Sequence, residues 1–468
     1  MIKFGTGGWR AVIGDAFTKE NIQKVATAIA LECEDKRIVI GYDRRFLSDV
    51  AAQWVSEVMI AHDIQVYFIN KAVPTPMIMY SVKQLKTAYG IAITASHNPA
   101  IYNGMKIFTL GGKDATEDYT EKFEQTLEKG VEVKTLSFDE GLNQQTITYF
   151  DPSNDYIDSI LSMVDISAIR KAKLRALLDP MFGVSKTSLS IILSTARVDL
   201  DIINSRHDTL FGGKLPSPAS STLLHLSEKV AKEHYDIGIA TDGDADRIGI
   251  VDEKGVFIHP NVLLCLIYDY LLRFKNEKGP VVRNLSTTHC LDAIAKAHNE
   301  ACYETAVGFK FITMNMEQHN ALIGGESSGG LTIRGHINGK DGIFAAALLV
   351  EMLGITQKPL SALVKDLEDR YGKFYFIEKN FAFSQDKKLE VQKKLSENLN
   401  LHFEKPIKEI KDFDGIKFYF EEGGWISCRF SGTEPLLRIF AESQDESFIE
   451  NSVNTLVHML GIQNDLQA

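Results

Sequence analysis

Apolar positions along the chain alternate between two spacings, and that alternation predicts the architecture. Short β-branched runs at 38–40, 66–69 and 90–94 read as strands buried on both faces. Between residues 18 and 35, Ile22, Val25, Ala26, Ile29, Ala30 and Cys33 recur at helical spacing, which predicts a helix with one core face. Strand followed by helix, repeated, implies a mostly parallel sheet covered by helices, with function at the carboxyl ends of the strands.

The rhythm restarts after a polar stretch near 135–155, with strands predicted at 175–178, 200–203 and 236–240. It restarts again after Lys254, with strands at 281–285 and 322–324 and a helix at 341–353. Beyond that the pattern changes: 374–383 and 416–420 read as antiparallel strands interleaved with helices near 386–399 and 446–460. The expected fold class is α/β, with three related α/β domains of mixed, mostly parallel sheets and a C-terminal α+β domain. The boundaries fall at 1–138, 139–252, 253–370 and 371–468.

Composition narrows the class. At 468 residues the chain exceeds what one core organises, since single cores stop growing near about 250–300 residues. Hydrophobic residues make up 44% and charged residues 24%, which suits a folded globular protein and excludes disorder. A net charge of −11 with no run of five basic residues argues against nucleic acid as a partner but leaves room for a small anion held by local cations. Cys33, Cys265, Cys290, Cys302 and Cys428 are scattered and odd in number, with no C-x-x-C pair, so they read as free thiols of a reducing compartment. No leader-like segment and no apolar stretch of about 18 residues is evident, so a cytoplasmic protein with no membrane span is expected.

Four loops carry candidate chemistry. In "ITASHNPAIYNGMKI" a predicted strand ends on Ser96, followed by His97, Asn98 and Pro99. Pro99 keeps Asn98 out of helical geometry, and Gly104 allows a second turn before Lys106. The G-x-S-x-G elbow of serine hydrolases is missing, and taken alone the segment is better explained by an ordinary turn. In "IATDGDADRIGI", Asp242, Asp244 and Asp246 alternate, and carboxylates so close repel unless a cation neutralises them. Oxygen ligands favour Mg²⁺. An EF-hand Ca²⁺ loop ending at Glu253 is the rival, opposed by Arg247 at the glycine position and by strand-like flanks. A solvated acidic loop is the plain alternative.

The third loop, "IGGESSGG", sets Glu326 and Ser328 among glycines that let a ligand approach the backbone, or else is a flexible linker; it lacks the spacing of a dinucleotide site. The fourth, "RFSGTEPLLR", joins Arg429 and Arg438 to Ser431, Gly432 and Thr433, a compact anion site in which Arg438 alternatively pairs with Glu434 or Glu442. Together the loops supply a hydroxyl, a metal site, a sugar-hydroxyl acceptor and a phosphate clamp, which is the equipment of phosphoryl transfer on a sugar phosphate.

In order and content these motifs resemble the α-D-phosphohexomutase superfamily and, within it, phosphoglucomutase/phosphomannomutase. The resemblance runs from Gly5-Thr6-Gly7-Gly8-Trp9-Arg10 through Thr94–Pro99, Asp242–Arg247 and Gly324–Gly330 to Arg429–Pro435. It implies four domains around a central cleft, Ser96 as phosphoserine, and one Mg²⁺ per chain bound by Ser96, Asp242, Asp244 and Asp246. Arg10, His97, Lys106 and Arg247 match catalytic cleft positions, with Lys106 as acid/base at a lowered pKa. Glu326, Ser328 and Lys310 match the sugar-reading side, and Arg429, Ser431, Gly432, Thr433 and Arg438 the phosphate side. The implied reaction interconverts glucose 1-phosphate and glucose 6-phosphate through bound glucose 1,6-bisphosphate, in a monomer or homodimer whose partners are hexose phosphates. Gly330 stands where mannose- and glucosamine-specific members carry histidine, unless His336 or Lys310 substitutes. Mannose phosphates are the alternative substrate, and a Mg²⁺-dependent phosphatase or a noncatalytic sugar-phosphate or Ca²⁺ sensor the alternative class.

Overall fold

A computed structural model describes residues 2–5, 7–396, 403–430 and 436–465. Its strands form four sheets. The first contains β1 (Gly8–Val12), β2 (Arg37–Tyr42), β3 (Gln65–Ala72), β4 (Tyr89–Ile93), β5 (Tyr102–Thr109), β6 (Lys113–Asp114) and β7 (Ile147–Tyr149), in the order β1-β5-β4-β2-β3-β7 with β6 beside β5. The second contains β8 (Arg175–Asp179), β9 (Asp199–Ile202), β10 (Ile237–Thr241), β11 (Ile248–Asp252) and β12 (Phe257–Ile258), ordered β12-β11-β10-β8-β9. The third is β14-β13-β15-β16, built from β13 (Val281–Asn284), β14 (Cys302–Thr305), β15 (Ile323–Gly325) and β16 (Leu331–Ile333).

These three sheets share one topology. In each, three parallel strands lie side by side (β3-β2-β4, β9-β8-β10, β14-β13-β15), and the last turns back into an antiparallel neighbour (β5, β11, β16). The connection at that reversal is the Ser96 loop in the first sheet, the Asp242–Arg247 loop in the second and the Glu326 loop in the third. The repeat expected from strand–helix rhythm therefore extends to the placement of the chemistry. The fourth sheet, β17 (Tyr375–Ala382), β18 (Ile407–Lys411), β19 (Ile416–Phe420), β20 (Trp425–Phe430) and β21 (Leu436–Ser443), is wholly antiparallel in the order β17-β21-β20-β19-β18.

Local rules account for most elements. Thr18 caps the helix Lys19–Leu31 by accepting from the Asn21 amide, and Ile22, Val25, Ala26, Ile29 and Ala30 are buried along one face. Asp341 caps the helix Gly342–Thr356 in the same manner, and residues 342 to 354 are buried on every side. One hydrophobic core runs through this helix and joins Val39 of the first sheet, Leu178 and Ile250 of the second and Ile323 of the third. Truncating one of its side chains, as in Leu349→Ala, is expected to cost about 2–5 kcal/mol. The C-terminal sheet has its own core of Phe381, Phe418, Ile439, Phe448 and Leu456. Among the described residues no single helix is long and apolar enough to cross a membrane.

One expectation from the sequence fails, and one stretch holds elements it did not predict. Gly104 does not make a turn: residues 102 to 109 form β5, clasped between β1 and β4. Its strand pattern is obscured because Asn103 and Lys106 are polar yet buried, each with hydrogen-bonding partners inside the fold. The polar stretch near 135–155 contains a capped helix, Phe138–Asn143, and then β7, which extends the first sheet. Its polarity reflects an edge position, with Ile147 buried and Thr148 and Tyr149 exposed.

Candidate active site

The Ser96 loop leaves β4, all five residues of which are buried. Ser96 itself is 1% exposed and adopts φ +53, the left-handed region that a non-glycine residue enters only when the surroundings hold it there. Its amide donates to Thr94 Oγ1 at 2.9 Å, and its hydroxyl donates to Asp242 Oδ2 at 2.7 Å and lies 3.3 Å from His97 Nδ1. A β-carbon on Gly243 would sit 2.8 Å from the Ser96 carbonyl, so this glycine is what lets the two loops touch.

Asp242, Asp244 and Asp246 are fully buried and present ligand oxygens within 4.8 Å of one another. Lys106 reaches them from β5, where register with β4 and β1 fixes its direction: Nζ donates to Asp244 Oδ2 at 2.7 Å and to Asp246 Oδ2 at 2.6 Å. Thr75 Oγ1 donates to Asp244 Oδ2 at 2.7 Å, and Lys340 Nζ stands 3.1 Å from Asp246 Oδ2. The Arg247 amide donates to Asp242 Oδ1 at 3.0 Å. Asp244 Oδ1 and Asp246 Oδ1 are nevertheless buried without a hydrogen-bond partner, as is Arg247 Nε. Buried carboxylate oxygens are costly when unpaired, so clustered hard oxygens without hydrogen bonds fit a divalent cation, with the unused Arg247 Nε 3.9 Å from Asp246 Oδ1.

Electrostatics follow from this crowding. Burial, then the charges of Asp244 and Asp246, push the Asp242 carboxyl well above the usual range. Burial opposes ionisation of Asp246 too, but Lys106, Lys340 and Arg247 hold it well below. The lowered pKa expected for Lys106 is overturned. Burial pushes it down, yet Asp244 and Asp246 outweigh that, and the weaker opposing effect of Arg10 leaves the ammonium above the ordinary lysine range. Burial and the Arg247 and Arg10 cations push the His97 imidazole far down, so it faces Ser96 as a neutral ring.

Arg10, on β1, donates from Nη1 to Asn98 Oδ1 at 2.8 Å and so joins the Ser96 loop. The third loop docks on the second through the Ile248 amide and the Gly329 carbonyl at 3.2 Å. Within it Asn284 Nδ2 donates to Glu326 Oε1 at 3.1 Å, the Ser327 amide to Thr287 Oγ1 at 3.2 Å, and the exposed Ser328 hydroxyl to Glu326 Oε2 at 3.4 Å. Gly330 makes room for Lys340, since a β-carbon there would fall 2.3 Å from that side chain's Cδ. Lys310 is buried and paired with Glu117 of the helix Glu117–Glu128. His336 is buried too, with Nε2 2.7 Å from Asp341 Oδ2 and its ring against Phe344; its partners are structural.

In the C-terminal sheet Arg429 pairs with Asp414 at 2.9 Å, and Asp414 also accepts the Val307 amide at 2.7 Å, tying this arginine to the third domain. Arg438 is exposed and sits opposite Arg429 in the β20–β21 register. Pairing with Glu442 is not seen, because Glu442 is buried against the His289 amide and Trp425 Nε1. Ser431, Gly432, Thr433 and Glu434 lie outside the described residues. The EF-hand alternative fails: β10 and β11 form an antiparallel pair, and Glu253 accepts from the Ser361 hydroxyl and amide instead of joining the aspartates.

Sequence reasoning missed Lys340, Thr75 and Asn284. Lys340 had one local signal, its place in Gly339-Lys340-Asp341-Gly342 just ahead of a capped helix. Thr75 and Asn284 had none, since each matters only through contacts with distant loops.

A serine hydroxyl set against a carboxylate cluster, on three repeated α/β units and a fourth antiparallel one, is the architecture of the α-D-phosphohexomutases. Four domain models described as phosphoglucomutase/phosphomannomutase match in order: alpha/beta/alpha domains I, II and III at residues 1–134, 154–255 and 259–371, and the C-terminal domain at 378–457. The chain belongs to the phosphoglucomutase/phosphomannomutase family, whose members are isomerases of the phosphohexomutase type. It is 31% identical over 467 residues to a phosphoglucosamine/phosphogalactosamine mutase of Sulfurisphaera tokodaii, covering 97% of this chain and 98% of that one. It is 30% identical over 454 residues to a phosphoglucomutase/phosphomannomutase of Thermococcus kodakarensis, covering 95% of each. The solved structure of the Paramecium phosphoglucomutase parafusin superposes with a TM-score of 0.84 at 21% identity, over 99% of this chain and 95% of that one, a likeness of fold.

Proposed function

We propose that the chain interconverts glucose 1-phosphate and glucose 6-phosphate, with Ser96 carrying the phosphoryl group between the two ends of the sugar. The observation that carries this reading is the 2.7 Å contact of Ser96 Oγ with Asp242, beside two buried carboxylate oxygens that accept no hydrogen bond. Asp242, Asp244 and Asp246 are the residues that would hold Mg²⁺, which when bound supplies charge neutralisation for the phosphoryl oxygens. Lys106 and Arg247 add fixed positive charge at the same point, which phosphoryl transfer asks of a protein above all else.

In the transfer the Ser96 Oγ–P bond breaks as a bond from phosphorus to a sugar oxygen forms, and the proton of that sugar hydroxyl ends on Ser96. The resulting glucose 1,6-bisphosphate turns within the site and returns its other phosphoryl group. Lys106, held as an ammonium, acts as a donor to phosphoryl oxygens. Glu326 retains acceptor capacity for sugar hydroxyls beside Asn284 and Ser328. Arg429, with Ser431, Gly432, Thr433 and the exposed Arg438, is assigned to the unreacted phosphate.

Glucose is favoured over glucosamine because Gly330 stands where, by the resemblance, glucosamine-specific members carry histidine. The Sulfurisphaera relative's name favours glucosamine phosphate as a second reading. A coupled assay with Mg²⁺ and catalytic glucose 1,6-bisphosphate tests the reaction. Release of free phosphate alone would replace the mutase with a phosphatase. Relative kcat/KM on glucose, glucosamine and mannose 1-phosphates decides the sugar.

A further inference from the structure

Asp43 and Arg45 lie beneath the Ser96 loop and belong to none of the four motifs, and Thr94 is the residue of that loop's own motif through which they reach the serine. Arg45 follows β2, and its side chain is fully buried, with both terminal nitrogens matched to acceptors and Nε without a hydrogen-bond partner. The acceptors are backbone carbonyls of a single turn. Nη2 donates to Ser96 O at 2.6 Å and to Asn98 O at 2.6 Å, while Nη1 donates to Pro99 O at 2.9 Å and to Tyr102 O at 3.0 Å. The guanidinium lies 4.9 Å from the centre of the Phe211 ring, which closes off its face, and Nε is 3.5 Å from Asp43 Oδ2.

Asp43 links this anchor to the serine amide. Its Oδ2 accepts from Thr94 Oγ1 at 2.6 Å, and the same threonine oxygen accepts the Ser96 amide at 2.9 Å. Its Oδ1 accepts from the Arg45 amide and the Ser48 hydroxyl, each at 2.9 Å. Ser96 is thus gripped at its amide through Thr94 and at its carbonyl by Arg45, on either side of the unfavourable φ of +53. Four carbonyls converging on one planar fork specify the path of the turn, and a lysine with a single tetrahedral head does not reproduce that pattern.

We propose that Arg45, acting with Asp43 and Thr94, is the positioning residue that aims Ser96 Oγ for phosphoryl transfer. The inference rests on Ser96 being the phosphoryl carrier. The Arg45 hydrogen bonds all go to the loop backbone, and its other neighbours, Asp43 and Phe211, belong to none of the sugar or distal-phosphate residues, so its loss leaves those contacts in place and misaligns the nucleophile. Misplacement by about 1 Å is enough to slow such a step about 100-fold. The signature is therefore a fall in kcat with KM nearly unchanged, because the missing interaction serves the transition state and not substrate binding.

The test is single-turnover phosphorylation of Mg²⁺-loaded full-length enzyme by glucose 1,6-bisphosphate, read by intact mass. In that step the Ser96 Oγ–P bond forms, the sugar O–P bond breaks, and the Ser96 proton ends on the sugar oxygen. Wild type is expected to gain one phosphate that Ser96→Ala does not. Arg45→Lys is expected to gain it about 100-fold more slowly, with steady-state KM within about threefold of wild type. Thr94→Val, which keeps the buried arginine, is expected to slow the same step about tenfold and carries the test should Arg45→Lys fail to fold. Phosphorylation of Arg45→Lys at the wild-type rate, or a rise in KM matching the fall in kcat/KM, overturns the positioning role. A wild type that takes up no phosphate overturns the carrier reading itself.

Discussion

Two buried clusters of mixed charge sit at domain junctions, each built around a lysine, and they behave in opposite ways. At the junction of the first three sheets, Lys106 faces Asp244 and Asp246 and is held above the ordinary lysine range. At the junction of the third and fourth sheets, Lys417 donates to Leu285 O at 2.6 Å and to Glu304 Oε2 at 2.7 Å, with His289 Nε2 at 3.1 Å. There burial and the neighbouring Arg283 cation push the ammonium down to about 7. The difference lies in how the acid is shared. Lys106 bonds two carboxylates, shared with Thr75 and Lys340, whereas Lys417 bonds one, Glu304, which also serves Arg283 and Tyr419, while Asp292 is occupied by Arg283.

The second difference concerns completeness. None of the buried side-chain polar atoms of Arg283, Asp292, Glu304 and Lys417 is left without a partner, while Asp244 Oδ1, Asp246 Oδ1 and Arg247 Nε are. A cluster that satisfies itself holds domains together, and one that leaves acidic oxygens over has capacity for a cation and an anion. Buried charge is therefore a poor guide to function until the unmatched atoms are counted.

Removing divalent metal should have the largest effect. Chelation is expected to abolish mutase turnover, with recovery on adding Mg²⁺, while the Lys417 junction stays intact by near-ultraviolet circular dichroism of the Trp425 environment. Persistence of turnover in excess chelator would mean that the leftover oxygens hold no catalytic metal. Lys106→Met is expected to lower kcat by about 10²–10⁴, the span of a positioned proton-transfer or charge-stabilising group, measured in the coupled assay. Glu304→Gln removes the carboxylate bonded by Lys417 and one of the two bonded by Arg283 and is expected to cost about 3–5 kcal/mol, read from the first urea transition.

A smaller, pH-dependent effect separates the clusters further. Unfolded lysine titrates near 10.5 and folded Lys417 near 7, so between those values the unfolded chain binds the extra proton. The penalty for burying the ammonium is complete below pH 7 and is relieved as pH rises through this window. Wild-type Tm is thus expected to rise relative to Lys417→Met between pH 7 and pH 9, by differential scanning calorimetry; parallel curves would restore an ordinary titration to Lys417.

Much of this was legible in the chain. The periods located the sheets, and the Asp242–Asp246 alternation placed three carboxylates on one loop, because a hairpin of that length has no room to separate them. β5 was hidden because its buried Asn103 and Lys106 imitate loop polarity, and Lys106 was given the wrong pKa direction because its neighbours come from another domain. β7 went unpredicted within a polar stretch because an edge strand of three residues has a single inward side chain.

By itself the sequence determined the repeating α/β rhythm, the residue types of each loop and their order, since helix period, strand period and turn chemistry act within a few residues. Only the tertiary structure decided that the three loops occupy one topological position, that Lys106 meets carboxylates 138 and 140 residues away, and that Arg45 grips the serine turn from beneath. Such contacts are fixed by sheet register and domain packing, and no local spacing encodes a distance that only the closed fold creates.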